Sequence, residues 1–496
     1  MSNSTTRKKI KWIVLTLLLG LIVFLSLPIV HLYKTYLKDQ ETGETIPYGY
    51  TNDESHLNLY PVDSIVSAAE SKEDLLVQIR SLIEYAKEKQ LPISIAGAKH
   101  SMGGHTITPN GILLNMRPYK QLSFDHTSNI LTIGSGALWE DAIMFLDSID
   151  KSVAVMQAFS SFSIGGSLSV NGHGWQKNSP PLGCSVISFI LINAEGELLE
   201  CSRETNAELF SLVLGGYGLF GIILDVKLKV VDNQSLSFNR FEVRTQDYLH
   251  YYHENVDSKK EVQLVFGRLR VSEKNFLEEA TLNVFEENKE ALYRLEGKAG
   301  NSSNLSRLVF RGSVDSEYGK RLRWDLENTA GKFSSLSNFT RNDLLNDDVK
   351  LIENKISTST DILHEYFIPE RNFLSFIEGM KKILPNDKIN LLNITLRNVR
   401  KDEDSYLTFA KEDVIGFVLL FNQRKTKEHE AEMKSLTNQL VDLTLAMEGT
   451  FYLPYRLHID REKMRKSYPM ANSFFLLKLK YDPKERFSNL FYEHYK

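Results

Sequence analysis

The sequence predicts an α+β protein of more than one domain, preceded by a membrane-spanning helix. Three observations predict it. A chain of 496 residues exceeds what one hydrophobic core organises, so two or three domains are expected. From residue 92 to 231, short apolar strands alternate with amphipathic helices and three glycine-rich clusters. Past Asp232 glycine thins out, charge rises, and longer strands and helices take over. Residues 13–30 form an uncharged apolar run, long enough to cross a bilayer, with Trp12 and Tyr33 near its ends.

Composition narrows the function classes. Hydrophobic content of 42% and charged content of 25% are ordinary for a globular protein. A net charge of -4 and a pI near 6.3 give no general attraction to nucleic acid or to an anionic surface, and no basic, aromatic stripe offers a nucleic-acid binding track. Cys184 and Cys201 fit neither metal-ligand nor thioredoxin-like spacing, leaving one disulfide or two buried thiols.

Taken in order, the chain begins with a basic tail, residues 1–11, carrying Arg7, Lys8, Lys9 and Lys11. The expected transmembrane helix occupies 12–33, where Gly20 and Pro28 are tolerable. The positive-inside rule keeps the tail cytoplasmic and sends the rest to the periplasmic or extracellular side, while Lys34 and Lys38 oppose that orientation. The alternative, a cleavable signal peptide, lacks a small-x-small cleavage site after the run. A polar linker follows, 34–57.

Residues 73–89 carry apolar positions at helical spacing and lead into a strand at 91–96. Further strands are read at 111–116, 122–125 and 130–136, with a helix at 137–148. A hairpin turns at Glu195-Gly196 between 186–193 and 198–202, and a helix at 208–214 precedes the strand 222–231. Beyond the boundary, strands and helices alternate at 261–270, 279–286 and 308–312. Helices are expected at 372–383 and 428–448, and sheet strands at 389–399 and 414–422.

The chemistry concentrates in the glycine clusters. In Ala96-Gly-Ala-Lys-His-Ser-Met-Gly-Gly-His105, small residues let the backbone approach a ligand, and successive N–H groups make an anion nest. Ser101 adds a donor and His100 an imidazole. In Ala158-Phe-Ser-Ser-Phe-Ser-Ile-Gly-Gly-Ser-Leu-Ser-Val-Asn-Gly-His-Gly174, residues 164–170 lack the bulk of a core helix, unless their backbone lies against something flat. The third cluster is Gly215-Gly-Tyr-Gly-Leu-Phe-Gly221. Each alone reads equally well as an ordinary turn; together they fit an extended anionic ligand with a flat part. Other motifs fail. Gly134-Ser-Gly136 lacks the third glycine and the βαβ frame of a dinucleotide fingerprint. No Walker sequence, zinc helix or serine nucleophile elbow is present, and no metal site is expected.

On these clusters, together with Tyr481-Asp-Pro-Lys-Glu-Arg-Phe487, the sequence resembles the FAD-binding family typified by vanillyl-alcohol oxidase and p-cresol methylhydroxylase. Within it, the sugar-lactone and alditol oxidases and the decaprenylphosphoryl-ribose oxidases are most similar. The resemblance covers 58–232 and the tail. It implies a two-subdomain FAD-binding fold at 58–232, an α/β substrate (cap) domain at 233–455, and a segment at 456–496 that returns to the first. Ala96, Gly97, Ala98, Lys99, His100 and Ser101 would cradle the FAD pyrophosphate. Ser163, Gly165, Gly166 and Ser167 would line the flavin and phosphates, and Gly221 and Ile222 the adenine side. His100 sits where many members bond the flavin covalently; the alternative is a hydrogen bond alone. His105 and His173 read as structural.

Thr395-Leu-Arg397 aligns with a Glu-x-Arg pair facing the substrate in lactone and alditol oxidases: Arg397 fits and Thr395 departs. Arg456 replaces a lysine expected to stabilise reduced flavin, keeping the charge but not the ability to lose a proton. His458 is the first candidate for the general base, with a structural role as its alternative. Glu365-Tyr-Phe-Ile-Pro369 is either a pocket-bordering strand or an ordinary one. The expected function is FAD-dependent oxidation of a CH–OH group in a sugar, polyol, lactone or lipid-linked sugar, with oxygen or a quinone as acceptor. The alternatives are a C=C reductase of the sterol reductase type, or a catalytically impaired, membrane-tethered binding protein.

Overall fold

A computed structural model describes residues 3–40, 45–289, 300–334, 338–385 and 389–496; for 3–11, 17–25, 300–303 and 333–334 it describes the backbone only. The chain opens with one continuous helix, Asn3–Lys38. Among the described residues no helix is long and apolar enough to cross a membrane. The expected span, 12–33, falls partly on 17–25, whose side chains lie outside the described residues, as do those of the basic tail.

The first module contains, besides the two-stranded pair Tyr50–Thr51 with Tyr60–Pro61, a parallel and an antiparallel sheet. A three-stranded parallel sheet runs in the order Ser64–Ser67, Ile112–Asn115, Ile93–Ala96. The helix Lys72–Lys89 connects its two outer strands. Ser71 caps that helix by accepting from the Asp74 amide; acidic residues occupy the first turn and lysines the last, which suits the helix dipole. Its apolar face (Leu75, Ile79, Leu82, Ile83, Ala86) shares a core with Ile93, Ile112 and Leu114 of the sheet. The second sheet is antiparallel, ordered Leu198–Ser202, Val186–Ile192, Ile222–Asp232, Ile130–Gly134, Leu122–Asp125.

The chain changes sheets after Ile222–Asp232. The second module is an eight-stranded antiparallel sheet, ordered Asn338–Thr340, Ser235–Arg244, Glu279–Glu287, Val262–Leu269, Asn390–Val399, Val414–Arg424, Ser359–Pro369, Thr450–Phe451. The helices Phe373–Ile383 and Lys427–Ala446 pack with it. Residues 308–312 fall at the end of a helix, Gly300–Arg311.

The tail comes back to the first module. Ile93 donates to the Arg486 carbonyl at 2.6 Å and accepts from the Ser488 amide at 3.1 Å, so this segment extends the parallel sheet. Phe487 enters the core shared with Lys72–Lys89. The turn is fixed by Lys478, which pairs with Asp482 in full burial, while the Asp482 carboxylate accepts the Arg486 and Phe487 amides. Residues 50–57, expected as linker, are built in as well: Asn52, Asp53 and Ser55 are buried, as is Asn58 just beyond them. Asp53 accepts from the Gly104 amide at 2.7 Å. The two cysteines are free thiols, and burial pushes Cys201 up to about 12.

Candidate active site

The glycine clusters make the floor of one cavity. Ile93–Ala96 ends and the chain reverses through Gly97-Ala98-Lys99, with Lys99 in the left-handed region at φ 60°. A side chain at Gly97 is excluded, because its Cβ would lie 2.0 Å from Ser163 Oγ. The same Ser163 Oγ accepts from the Ala98 amide at 3.1 Å, so the first two clusters are pinned together. Ser163 also begins the short helix Ile164–Ser169, whose Gly165 backs onto Ser135 with no room for a Cβ. Gly218 and Gly221, both at positive φ, bring the third cluster to the same cavity.

All of Ala96, Gly97, Ala98, Lys99, His100, Ser101, Ser163, Gly165, Gly166, Ser167 and Gly221 line this cavity. Ile222 does not: its side chain is fully buried in the core, and strand alternation turns Ile223 to the cavity instead. Ser167 is held from behind, accepting from Trp139 Nε1 at 2.9 Å and donating to Gln157 at 2.6 Å. Burial lowers the Lys99 ammonium from its usual value, opposed by the Asp53 carboxylate, and its Nζ donates to Thr51. His100 packs its ring 4.5 Å from that of Phe162, and its Nδ1 stands 3.5 Å from Glu54 without a hydrogen bond. His105 is buried between Tyr217 and Phe491, and burial pushes it down to about 3, so it stays neutral.

The cavity fits FAD on two counts. Its glycines keep the floor clear of side chains. His100 Nδ1, Ser101 Oγ and Ser135 Oγ are buried there without partners, as phosphate and flavin contacts would require.

The roof comes from the large sheet and from the stretch after Thr450–Phe451. Leu363, Tyr452 and Tyr455 face the cavity. Glu365 stands behind Tyr455, whose phenol donates to Glu365 Oε1; His173 Nε2 holds Oε2 at 2.6 Å. Glu365 and Thr395 both register with Val418, and Arg397 follows two residues on, so the three share one sheet face. Burial alone would raise the Glu365 carboxyl. The charges of His173 and Arg397 and the hydrogen bonds from His173 and Tyr455 reverse this and hold it below the usual range. Burial, with that carboxylate, drives the Tyr455 phenol well above its ordinary value. Arg397 Nε and His173 Nδ1 are buried without partners.

Arg456 and His458 take a different place. Arg456 donates to Glu430 at 2.6 Å and to Asn58 at 2.8 Å; His458 contacts Glu430 at 2.8 Å and Thr437 at 2.9 Å. Neither lines the cavity, whereas their neighbour Tyr455 does. The set Glu365, Tyr455 and His173 was not assembled from sequence. The available signal was Glu365 itself, a carboxylate inside an apolar strand, which must find partners.

Residues 67–202 match the family model described as an FAD binding domain. The chain is 30% identical to cytokinin dehydrogenase 2 of Arabidopsis thaliana over 34% of this chain and 34% of that one. It is 25% identical to L-gulonolactone oxidase of Mus musculus over 36% of this chain and 40% of that one. It is 26% identical to the mitochondrial L-galactono-1,4-lactone dehydrogenase of Arabidopsis thaliana over 38% of this chain and 31% of that one. The chain carries an FAD-binding domain. FAD is therefore its cofactor. Within the FAD-binding domain the matched residues include the first two clusters; the third, the roof and the tail lie beyond them. The chain spans only about a third of the length of these relatives.

Proposed function

We propose that this protein is a membrane-anchored FAD-dependent oxidoreductase that oxidises a CH–OH group of a sugar, polyol, lactone or lipid-linked sugar. The observation that carries this reading is the Tyr455–Glu365–His173 set, a phenol on the cavity wall backed by an ionised carboxylate. Bound FAD supplies the hydride acceptor. Tyr455 accepts the substrate hydroxyl proton as its own passes to Glu365 Oε1. His173 fixes the carboxylate's orientation through the other oxygen. Arg397, which does not line the cavity itself, is assigned the binding of a substrate oxygen, supported by its unpartnered Nε on the same sheet face as Glu365. The lactone-acting names among the relatives support a sugar-derived substrate. Arg456 and His458 support the site indirectly, through Glu430 and the Met102 carbonyl beside the first cluster.

His100 is proposed as a covalent attachment point for FAD, supported by its position in the cavity and its unpartnered Nδ1. The N-terminal run is proposed as a single-pass anchor, with the catalytic part on the periplasmic or extracellular side. Oxygen or a quinone takes the electrons. The decisive experiment is anaerobic reduction of the purified flavoprotein by polyols, sugar lactones and lipid-linked sugars, followed by loss of flavin absorbance. Reduction by one of these classes is expected. Bleaching by a nicotinamide or dithionite alone, with no alcohol active, would overturn the oxidative reading.

A further inference from the structure

The cationic residues beyond the apolar run, Lys34 and Lys38, oppose the orientation argument and have no role in the reaction. They line a second cavity, between the N-terminal helix and the tip joining Gly300–Arg311 to Glu317–Ser334. The helix is docked there. Asp39 is buried and paired by both terminal nitrogens of Arg307. His31 Nε2 donates to the Gly312 carbonyl at 2.9 Å, and its ring meets Tyr318 edge-on at 5.2 Å. The approach needs glycine: a Cβ on Gly319 would lie 1.8 Å from the Gly312 carbonyl oxygen and 2.8 Å from His31 Nε2.

His31, Lys34, Thr35 and Lys38 follow helical spacing on one face and look into this cavity. Opposite stands Arg311, buried, paired to Asp361 through one terminal nitrogen, with Nε unpartnered. Two carboxylates line the cavity. Asp39 is consumed by Arg307, and Asp315 accepts from Asn390. Lys34 and Lys38 have no ion-pair partner among the described residues. Helical rise places Lys34 roughly 6 Å past the apolar run, within the headgroup region, and Lys38 roughly 12 Å past it, about one turn farther out.

We propose that this cavity binds the phosphate headgroup of an anionic phospholipid, with Lys34 and Lys38 as its cations and Arg311 Nε as an inner donor. The site rests on the membrane-anchored reading, which alkaline carbonate extraction of membranes tests by itself. For the lipid site, the full FAD-loaded chain in neutral detergent is titrated with short-chain phosphatidylglycerol, short-chain phosphatidylcholine or inorganic phosphate, and the thermal midpoint followed. Phosphatidylglycerol is expected to give a saturable rise of roughly 2–4 °C, with phosphatidylcholine inactive. Lys34→Ala/Lys38→Ala weakens half-saturation roughly thirtyfold, while the control Lys87→Ala/Lys89→Ala on an exposed helix leaves it unchanged. Equal responses to both lipids, or an unchanged response in the Lys34/Lys38 variant, would overturn the site. A rise with inorganic phosphate as large as with the lipid would overturn its assignment to a lipid.

Discussion

Glu365 is the residue on which the chemistry is argued, and it is the one whose meaning the sequence hid. Its partners His173 and Tyr455 are 192 and 90 positions away, so only the folded chain assembles them. The glycine clusters were legible because their constraint is local: small residues where a backbone must touch something. Glu365→Gln keeps the shape and removes the proton acceptor. Its rate of flavin reduction in stopped flow should fall roughly 10²–10⁴-fold, as for lost general base catalysis, with Tyr455→Phe in the same range. Because Glu365 titrates below the usual carboxylate range, the wild-type rate should hold level from about pH 8 down to about pH 5. At Gly97, substitution by Val drives a side chain into Ser163; the purified protein should lose its flavin, read as absorbance per mole of chain. His100→Ala should release flavin on acid precipitation where the wild type retains it. Glu430 gives a prediction for stability. Burial would raise its carboxyl, but His458 and Arg456 bring it well below normal. Its contribution is therefore full above the unfolded value, roughly 4.3, and is lost as pH falls below that. Glu430→Gln should flatten the fall in thermal midpoint over that acid range.

At the level of elements, long helices were readable and short polar connections were not. Lys72–Lys89 announces itself by its cap, its terminal charges and its apolar stripe. Residues 50–57 read as linker because their burial is satisfied by side-chain hydrogen bonds, among them Asp53 with Ser55 and with Asn58 just beyond, and these leave no periodic pattern. The large sheet was readable as strands, but not its register, and register puts Glu365 and Arg397 on one face; a slip of one residue would turn both away. The turn after Ala471–Tyr481 depends on the buried Lys478–Asp482 pair. Asp482→Asn leaves a buried ammonium unpaired and should cost about 3–5 kcal/mol in denaturant unfolding.

Over the whole molecule, the two modules are less separable than the composition change near Asp232 indicated. One contiguous apolar cluster runs from Leu131 and Ile133 through the large sheet to Phe491 and Tyr495. The identity of the substrate was the least legible property, because it depends on a roof drawn from distant segments, Leu363 and Tyr452, Pro454 and Tyr455. One feature of this architecture governs how the protein is made. The strand Ile93–Ala96, which ends in the Gly97 turn, is completed by Arg486 and Ser488, about 400 residues later. At ordinary elongation rates the ribosome needs roughly 20–80 s to cover that interval. Throughout it, the turn at Gly97 lacks its outer neighbour and the cradle is unfinished. A nascent chain stalled before Phe487 is therefore expected to emerge colourless.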